Sequence, residues 1–245
     1  MILFENVTFG YGPKPVLQDA SLSIGSDERV AILGGSGEGK TTILRLMLGL
    51  IRPDSGRISI EGDDITGKDE DDLREIRRKF SIVFQEGALF DSLNVKENVA
   101  FCLREFTDMS EGEIDAKVRE LLKVVGVAHA IDLMPDELSG GMHRRVAIAR
   151  SLAAFEPKMF LYDEATTGLD PINADRICQL INELCKAGTG LIIVTHKVVD
   201  AFKVAKRFLF LQNGRIIFDG DMPGLLQSEN PHIGEFLNEF RFKVD

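Results

Sequence analysis

A glycine-rich segment, GGSGEGKT, occupies residues 34–41, between an apolar run and a segment with helical periodicity. Its spacing fits G-x-x-x-x-G-K-[ST], in which glycines let backbone N–H groups turn toward phosphate oxygens. The positive end of the following helix adds to that field. We predict that Lys40 contacts the β- and γ-phosphates of a nucleotide and that Thr41 ligates Mg²⁺; the alternative is a flexible glycine turn. The nucleotide-contacting residues predicted in this region are Gly34, Gly35, Ser36, Gly37, Glu38, Gly39, Lys40, Thr41 and Thr42.

Two adjacent carboxylates, Asp163 and Glu164, follow the apolar run at residues 159–162. A carboxylate at a strand end can hold Mg²⁺ opposite Thr41, usually through water, and a second one can orient or deprotonate an attacking water. We predict that this pair takes those two roles. A solvated acidic pair is the alternative, and the phosphate loop upstream argues against it.

Polar residues also end two other apolar runs. Gln85 follows residues 80–84, and His196 follows residues 191–195. In a parallel sheet both would emerge at the edge that carries the phosphate loop and Glu164. A neutral histidine can then hydrogen-bond a γ-phosphate, and a glutamine can sense Mg²⁺ or water. Taken singly, each is equally compatible with a helix cap or a structural polar residue.

Tyr11 lies in the sequence FGYG, ahead of the first predicted hairpin turn. Its ring could stack on an adenine base, or it could cover the edge of a sheet. The residues alone leave both interpretations open.

A second glycine pair, Gly140-Gly141, follows Ser139 at the start of a long basic helix. Serine is a good N-cap, so this helix start is another candidate anion site. One nucleotide does not need two cradles within one small domain. The pair therefore predicts a two-fold dimer in which this segment completes the nucleotide site of a second copy. A glycine-rich helix start without a ligand is the alternative.

Composition excludes several classes of protein. The 245 residues are 44% hydrophobic and 28% charged, and the net charge of −10 argues against a nucleic-acid binder. Three cysteines without metal-ligand spacing indicate reduced thiols. We find no secretory leader and no run of the ~18 apolar residues that a membrane span needs. We therefore expect a soluble cytosolic chain whose membrane role, if any, runs through a partner.

The elements that position these residues alternate along the chain. Apolar runs at residues 29–35, 79–85, 158–165 and 190–196 read as buried strands, and residues 40–50 and 171–186 as helices. Antiparallel pairs are expected at the start of the chain and at 207–220, turned at Asn213-Gly214. This pattern predicts an α/β fold with a largely parallel sheet.

We expect one domain over residues 1–245. Residues 1–93 and 155–230 would form the α/β core with an antiparallel β subdomain, and residues 94–154 an inserted helical subdomain with helices at 95–103, 113–125 and 139–154. The last segment, 231–245, has Ile233, Phe236, Leu237 and Phe240 at helical spacing. It either packs on its own domain or reaches a second subunit.

These motifs together resemble the nucleotide-binding subunits of ATP-binding-cassette (ABC) transporters, and the likeness covers nearly the whole chain. The matching motifs are GGSGEGKT (Walker A), MFLYDE (Walker B), LSGGM at 138–142 (the signature), Gln85 (Q-loop), TGLD ending at Asp170 (D-loop), His196 (switch histidine) and Tyr11 (adenine-stacking aromatic). The resemblance implies a P-loop NTPase fold and a homodimer that sandwiches two ATP molecules with Mg²⁺. Ser139, Gly140, Gly141, Met142 and Asp170 would act on the partner's nucleotide.

In the catalytic set implied by the resemblance, Glu164 is the base, with Lys40 and His196. Metal ligands would be Thr41, Gln85 and Asp163. A groove that includes Phe84, Leu89, Phe90 and Phe101 would receive the transmembrane permease. Two residues depart from the family pattern: Met142 stands where glutamine is usual and Ala165 where proline is usual.

Three longer segments narrow the likeness to the ATPases of Mla-type phospholipid transporters: FQEGALFDSLNVKENVAFCLRE, LMPDELSGGMHRR and YDEATTGLDP. That resemblance implies transport of lipid between membranes, permease and MCE lipid-binding partners, and a place on the cytoplasmic face of the inner membrane. An ABC transporter for another substrate, or a non-transport ABC ATPase, is the alternative. A small-molecule P-loop kinase would leave the signature, Gln85 and His196 without roles.

Overall fold

Two sheets with different strand orders form the β-structure. The computed structural model describes residues 1–85, 87–153, 155–185 and 188–241, with side chains up to residue 238. The strands are β1 (Ile2–Phe9), β2 (Leu17–Ile24), β3 (Arg29–Leu33), β4 (Ser55–Ile60), β5 (Asp63–Asp64), β6 (Phe80–Val83), β7 (Met159–Asp163), β8 (Gly190–Thr195), β9 (Arg207–Gln212) and β10 (Arg215–Gly220). The helices are α1 (Lys40–Met47), α2 (Glu70–Arg77), α3 (Val95–Phe106), α4 (Glu111–Val124), α5 (Gly140–Ser151), α6 (Pro171–Leu184), α7 (Val198–Val204), α8 (Met222–Leu226) and α9 (Pro231–Arg241).

The larger sheet has the order β10-β9-β3-β8-β7-β6. Its neighbours are parallel from β9 to β6, and only the β9–β10 hairpin at its edge is antiparallel. The smaller sheet, β2-β1-β4-β5, is antiparallel throughout. The α/β fold, the mainly parallel sheet and the separate antiparallel strands are therefore confirmed.

The larger sheet separates two apolar cores, because alternate residues of a strand point to opposite faces. In β3, Val30 and Ile32 face a core that contains α1 and the smaller sheet, whereas Ala31 and Leu33 face a core that contains α3, α4 and α5. The helical segment predicted at 94–154 thus shares its core with one face of the sheet. Its boundaries as a subdomain stay a prediction.

Several predicted boundaries shift by a few residues. Helix α1 ends at Met47 rather than near residue 50, because Gly49 takes a left-handed backbone with φ 62°. Strand β6 ends at Val83, so Gln85 follows the strand by two residues. The short strand β5 was not predicted. The ends predicted for two helices, Ala154 and Lys186, lie outside the described residues, and the structure gives these helices as α5 and α6.

The C-terminal helix α9 packs on its own chain. Ile233 and Leu237 are buried, and the Phe236 ring meets Phe210 edge-to-face with 4.9 Å between centroids. For these three residues, the prediction that the tail packs on its own domain is confirmed. Phe240 and residues 242–245 lie outside the described side chains. Within the described ranges, no helix combines the length and the apolarity that crossing a bilayer requires.

Candidate nucleotide site

The phosphate loop connects β3 to α1, and its first glycine is fixed by a close backbone approach. Gly34 has φ 153°, and a Cβ at this position would lie 2.4 Å from the Leu211 carbonyl oxygen. Only glycine fits there. At the other end, Gly39 is the N-cap of α1 and makes no side-chain cap bond. The first N–H groups of α1 therefore keep their capacity to bind an anion.

Lys40 occupies the centre of the loop and is only 6% exposed. Its Nζ donates to the carbonyl oxygens of Gly34 and Gly35 at 2.9 and 2.8 Å, and lies 4.0 Å from Glu164 Oε1. Burial lowers the pKa of Lys40, against the opposing effect of the Glu164 and Asp163 carboxylates. The ammonium group is thus held inside the loop by carbonyl oxygens and two nearby acids.

Asp163, the last residue of β7, is 2% exposed and accepts a hydrogen bond from Thr41 Oγ1 at 3.1 Å. Burial raises the pKa of Asp163, so the carboxylate form is costly without a cation. Hydroxyl and carboxylate oxygens are ligands that suit Mg²⁺. No group of three or more His, Cys, Asp or Glu side chains with metal-binding geometry occurs in the described ranges. Thr41 and Asp163 therefore fit an ion completed by phosphate and water oxygens, not a cage of protein ligands.

Glu164 has an unusual backbone, with φ 51°, and its N–H donates to the Val194 carbonyl at 2.9 Å. Its carboxylate is the most heavily hydrogen-bonded group of the site. Oε1 lies 2.9 Å from His196 Nδ1 and accepts from the His196 backbone N–H at 3.2 Å. Oε2 accepts from the hydroxyls of Thr167 and Thr195 at 2.7 and 3.1 Å.

These contacts decide the protonation state of Glu164. Burial raises its pKa, but the hydrogen bonds from His196 and Thr167, together with the charge of Lys40, outweigh burial and leave the pKa below its ordinary value. Glu164 is thus ionised near neutral pH and can accept a proton. Because His196 Nδ1–H serves the carboxylate, a neutral His196 ring could only accept at Nε2. To donate to a phosphate, the ring must gain a second proton or leave Glu164.

One cavity of about 720 Å³ brings most of the predicted residues together. It is lined by Tyr11, Val16, Ser36, Gly37, Gly39, Lys40, Thr41, Thr42, Arg45, Gln85, Glu164, Thr167 and His196. Gly34, Gly35, Glu38 and Asp163 do not line it. The convergence of the loop, Gln85, Glu164 and His196 on one sheet edge follows from the parallel strands.

Tyr11 projects from the loop between β1 and β2 at the mouth of this cavity and is 60% exposed. Its ring meets Phe9 edge-on at 4.9 Å, and its hydroxyl accepts from Arg45 Nη1 at 3.1 Å. The contact with Phe9 covers the end of β1, and the ring also borders the cavity. Both interpretations of Tyr11 therefore stay open.

Glu38 points away from the cavity, toward the β9–β10 hairpin. Its carboxylate accepts from the Asn213 backbone N–H and from Gln212 Nε2. The hairpin turn itself is formed by Asn213 and Gly214, at φ 50° and 73°, as predicted. Glu38 thus fastens the phosphate loop to the neighbouring hairpin.

The second glycine pair lies elsewhere on the chain's surface. Ser139 caps α5 by accepting from the Met142 N–H at 3.3 Å, and both Ser139 and Gly140 are exposed. A Cβ on Gly140 would lie 3.2 Å from Leu169, and one on Gly141 would lie 3.1 Å from Asn173. The signature therefore adjoins the D-loop, and none of residues 139–142 is among the described residues that line the cavity.

Asp170 has a local structural role besides the one implied by the resemblance. It is the N-cap of α6 and accepts from the N–H groups of Ile172 and Asn173, both at 3.1 Å, and from Asn173 Nδ2. These bonds lower the pKa of Asp170. Met142 is half-buried against the core that contains α3, α4 and α5.

Four residues of the site were missed at the sequence level: Val16, Arg45, Thr167 and Thr195. Position offers a signal for two of them. Thr195 immediately precedes His196 at the end of β8, and Thr167 comes three residues after Glu164, where a turn returns its hydroxyl to the carboxylate. Arg45 is five residues after Lys40 on α1 and belongs to none of the motifs described above. The sequence therefore gives no indication of its contact with Tyr11.

The chain is similar to known proteins in both sequence and fold. A family model described as ABC transporter matches residues 17–167. The chain belongs to the ABC transporter family. Intermembrane phospholipid transport system ATP-binding protein MlaF of Escherichia coli (strain K12) is 37% identical to this ABC transporter chain, over 97% of the chain and 88% of the relative. Probable ribonucleotide transport ATP-binding protein mkl of Mycobacterium leprae (strain TN) is also 37% identical, over 96% of the chain and 67% of the relative.

Among solved structures, a dimeric ATP-binding cassette in a post-hydrolysis state, bound to ADP and Pi, is 32% identical. The likeness has a TM-score of 0.83 and covers 91% of this chain and 99% of the other. Family and fold together identify this ABC transporter chain as an ATPase of the P-loop NTPase fold.

Proposed function

We propose that this ABC transporter ATPase powers the movement of phospholipid between membranes, through a transmembrane permease and an MCE lipid-binding partner. The observation that carries the proposal is its likeness to MlaF, a protein named for intermembrane phospholipid transport, across 97% of the chain. Three segments, residues 84–105, 133–145 and 162–171, carry the same resemblance in sequence. The chain would work at the cytoplasmic face of the inner membrane, attached through the permease.

ATP would bind in the 720 Å³ cavity, with Lys40 on its β- and γ-phosphates and the N–H groups of α1 around them. Thr41, Asp163 and Gln85 would hold Mg²⁺, which neutralises charge on the phosphates when bound. Glu164, ionised at neutral pH, would orient and deprotonate the attacking water. His196 fixes one oxygen of that carboxylate and borders the place where the γ-phosphate would lie.

The position of the signature supports a homodimer with shared sites. Ser139, Gly140 and Asp170 are exposed, Gly141 and Met142 lie at the start of α5, and none of these five described residues lines the cavity of its own chain. In a two-fold dimer, the capped start of α5 would close on the γ-phosphate held by the partner's Lys40. The solved cassette with ADP and Pi is dimeric, which agrees with this arrangement.

The permease would dock on an aromatic groove beside β6. A groove of about 220 Å³ is lined by Phe80, Phe84, Cys102, Arg150 and Phe155, among other residues. The exposed rings of Phe90 and Phe101 pack 4.8 Å apart, and the Arg150 guanidinium lies 4.9 Å from the Phe90 centroid. Leu89, also expected here, instead packs against the core. A partner helix with apolar side chains suits this surface.

Glu164→Gln tests the hydrolytic assignment. The amide keeps the shape of the side chain but cannot accept a proton, so the purified complex should bind ATP with unchanged affinity. Turnover should fall by more than about a hundredfold. Nucleotide binding and phosphate release are measured on the same preparation, and hydrolysis at the parent rate would contradict the assignment.

Mixing two inactive variants tests the shared sites. Lys40→Ala damages the phosphate loop, and Ser139→Arg damages the signature. In a mixed dimer the two defects fall in one site and leave the other intact. An equal mixture that exchanges subunits should therefore recover roughly a quarter of the parent activity if the sites act independently. Sites formed within single chains would give no recovery.

The substrate is tested on the complex isolated from membranes through a tag on this chain. We expect a multipass protein and an MCE protein to co-purify, and the reconstituted complex to transfer labelled phospholipid between vesicles in an ATP-dependent manner. The Glu164→Gln complex is the matched control. The Mycobacterium leprae relative is named for ribonucleotide transport. If the complex takes up a labelled ribonucleotide in an ATP-driven manner and transfers no lipid, the substrate is a ribonucleotide and the proposal of phospholipid is wrong.

A further inference from the structure

A buried polar pair lies behind the candidate catalytic carboxylate. Thr166, in the loop after β7, is 1% exposed, and Asp200, in the first turn of α7, is 6% exposed. The Thr166 hydroxyl donates to Asp200 Oδ2 at 2.6 Å. Neither residue lines the nucleotide cavity. A buried carboxylate is costly unless it is well paired, so an apolar pair of similar size would be the simpler way to pack this position.

Lys197 makes a second connection between the same two segments. Its Nζ donates to the Thr166 carbonyl oxygen at 2.8 Å, and its backbone N–H donates to Thr195 Oγ1 at 3.0 Å. Residues 164–168 are thus joined to residues 195–200 through both the side chain and the backbone of Thr166. We use the name Thr166 clamp for the contacts of Thr166 with Lys197 and Asp200.

The clamp holds the two segments that supply hydrogen bonds to Glu164. Thr167, the neighbour of Thr166, donates to Glu164 Oε2. From the other segment, Thr195 donates to Oε2 and His196 contacts Oε1. Glu164 itself has the left-handed φ of 51°, a conformation that persists for a non-glycine residue when its surroundings determine it. The position of the carboxylate therefore depends on how the two segments are held together.

Asp200 is itself held from two other directions. Lys203 Nζ lies 4.0 Å from Asp200 Oδ1 and 2.9 Å from Asp175 Oδ1, which ties the carboxylate to α6. The Asp200 carbonyl oxygen faces the Cys178 thiol, also on α6, at 4.0 Å. Asp200 is thus an acceptor held in place by α6, to which the Thr166 hydroxyl attaches the loop after β7.

We infer that the Thr166 clamp positions Glu164 for hydrolysis, with Asp200 acting through the Thr166 hydroxyl and not on the nucleotide. The inference rests on the proposed role of Glu164. A carboxylate displaced by even part of an ångström loses alignment with the attacking water, whereas Lys40 and Thr41 still hold the nucleotide. Loss of the clamp should therefore lower kcat and leave the KM for ATP nearly unchanged.

The test compares Thr166→Val, which removes the hydroxyl at equal volume, with Thr166→Ser, which keeps it. In the intact complex, Thr166→Val should lower kcat roughly tenfold, with KM for ATP within about twofold of the parent. Thr166→Ser should restore kcat, because it keeps the hydroxyl that Asp200 accepts from.

Substitutions of Asp200 provide a second, independent test of the Thr166 clamp. Asp200→Ala should reproduce the Thr166→Val defect, Asp200→Asn should retain an acceptor and most of the activity, and the Thr166→Val, Asp200→Ala double variant should be no worse than either single one. Thr107→Val is the matched control, since the Thr107 hydroxyl donates to the Leu103 carbonyl at the end of α3, in the helical segment. Its kcat and its KM for ATP should match the parent values.

The outcomes separate the two proposals. If Glu164→Gln hydrolyses ATP normally, the proposed function fails and the inference fails with it. If Glu164→Gln is inactive but Thr166→Val has the parent kcat, only the inference is overturned. Failure of Thr166→Ser to restore kcat, or additive defects in the double variant, would also overturn it, because both outcomes describe a purely structural pair.

Discussion

The starts of α1 and α5 are both glycine-rich helix N-termini, yet they are built in opposite ways. At α1 the N-cap is Gly39, which makes no side-chain bond, and Lys40 is buried between loop carbonyls and two acids. At α5 the N-cap is Ser139, whose hydroxyl accepts from the helix, and both Ser139 and Gly140 are exposed. The first start leaves its donors for a ligand, whereas the second satisfies one donor itself.

This difference suits the two helix starts to different tasks. The start of α1 suits nucleotide binding, and the start of α5 suits the completion of a nucleotide site on another chain, as proposed above. A nucleotide can be held by the phosphate loop of one chain, because the cavity already contains the lysine, the hydroxyls and the carboxylate. In the proposed dimer, the signature, with Ser139 and Gly140 exposed, would gain its function only against the partner chain. Three predictions test this division, in decreasing order of expected effect.

The largest effect is expected from the lysine. Lys40→Ala should weaken ATP binding to the isolated chain by more than about tenfold and reduce turnover of the complex more than a hundredfold, because the central cation is lost. Ser139→Ala should leave ATP binding to the isolated chain unchanged and lower turnover only in the complex. Binding is measured by titration of a fluorescent ATP analogue. Equal loss of binding in the two variants would remove the distinction between the two helix starts.

The next effect concerns stability at the two sets of glycines. Gly34→Ala should destabilise the fold by roughly 3 kcal/mol or more, since the new Cβ meets the Leu211 carbonyl at 2.4 Å. Gly141→Ala should change stability by less than about 1 kcal/mol, because helix propensity improves and the Asn173 side chain can move. Urea unfolding measures both. A Gly141→Ala variant as unstable as Gly34→Ala would mean that the signature is as tightly packed as the phosphate loop.

The smallest effect is a pair of opposite pH responses. Burial raises the pKa of Asp163, so this carboxyl adds stability below its unfolded pKa and loses that contribution as the pH rises through its folded pKa. Asp163→Asn should therefore raise the melting temperature of the nucleotide-free chain at pH 7 by up to about 2–4 °C, the size of change expected of a typical single substitution. This gain should shrink toward pH 4.

Asp170, beside the signature, gives the matched contrast. Hydrogen bonds from Asn173 lower its pKa, so its stabilising contribution is present above the unfolded pKa and is lost as the pH falls through the folded pKa. Asp170→Asn should therefore lower the melting temperature at pH 7 and have less effect in acid. If the two substitutions shifted the melting temperature in the same direction, the result would contradict the assigned causes of the two pKa shifts, which are burial for Asp163 and hydrogen bonding for Asp170.

The sequence predicted the cavity well because its residues sit at the ends of parallel strands, where topology alone brings them together. Lys40, Gln85, Glu164 and His196 are far apart in the chain, but each follows an apolar run in the larger sheet. The hairpin at Asn213-Gly214 was predicted by a different rule, because its two positive φ angles need residues of these types.

Side-chain directions were not predictable in the same way. Glu38 belongs to the phosphate-loop motif, yet its carboxylate reaches the hairpin because Asn213 offers a backbone N–H there. The Thr166–Asp200 hydrogen bond joins residues 34 positions apart, on elements whose packing no local periodicity encodes. Helix α1 ends earlier than predicted because Gly49 takes a left-handed backbone conformation. The spacing of apolar residues gives no indication of that conformation.

Strand β7 belongs to both cores at once, and this has a mechanical consequence. Leu161 faces the core with α1, and its neighbour Tyr162 faces the core with α3, α4 and α5. A displacement of the helical layer relative to the phosphate-loop layer therefore acts on opposite sides of a single strand, two residues before Asp163 and Glu164. Because Asp163 and Glu164 follow these residues directly, and both are tied to Val194 of the neighbouring strand, the packing of both layers bears on where the two carboxylates lie.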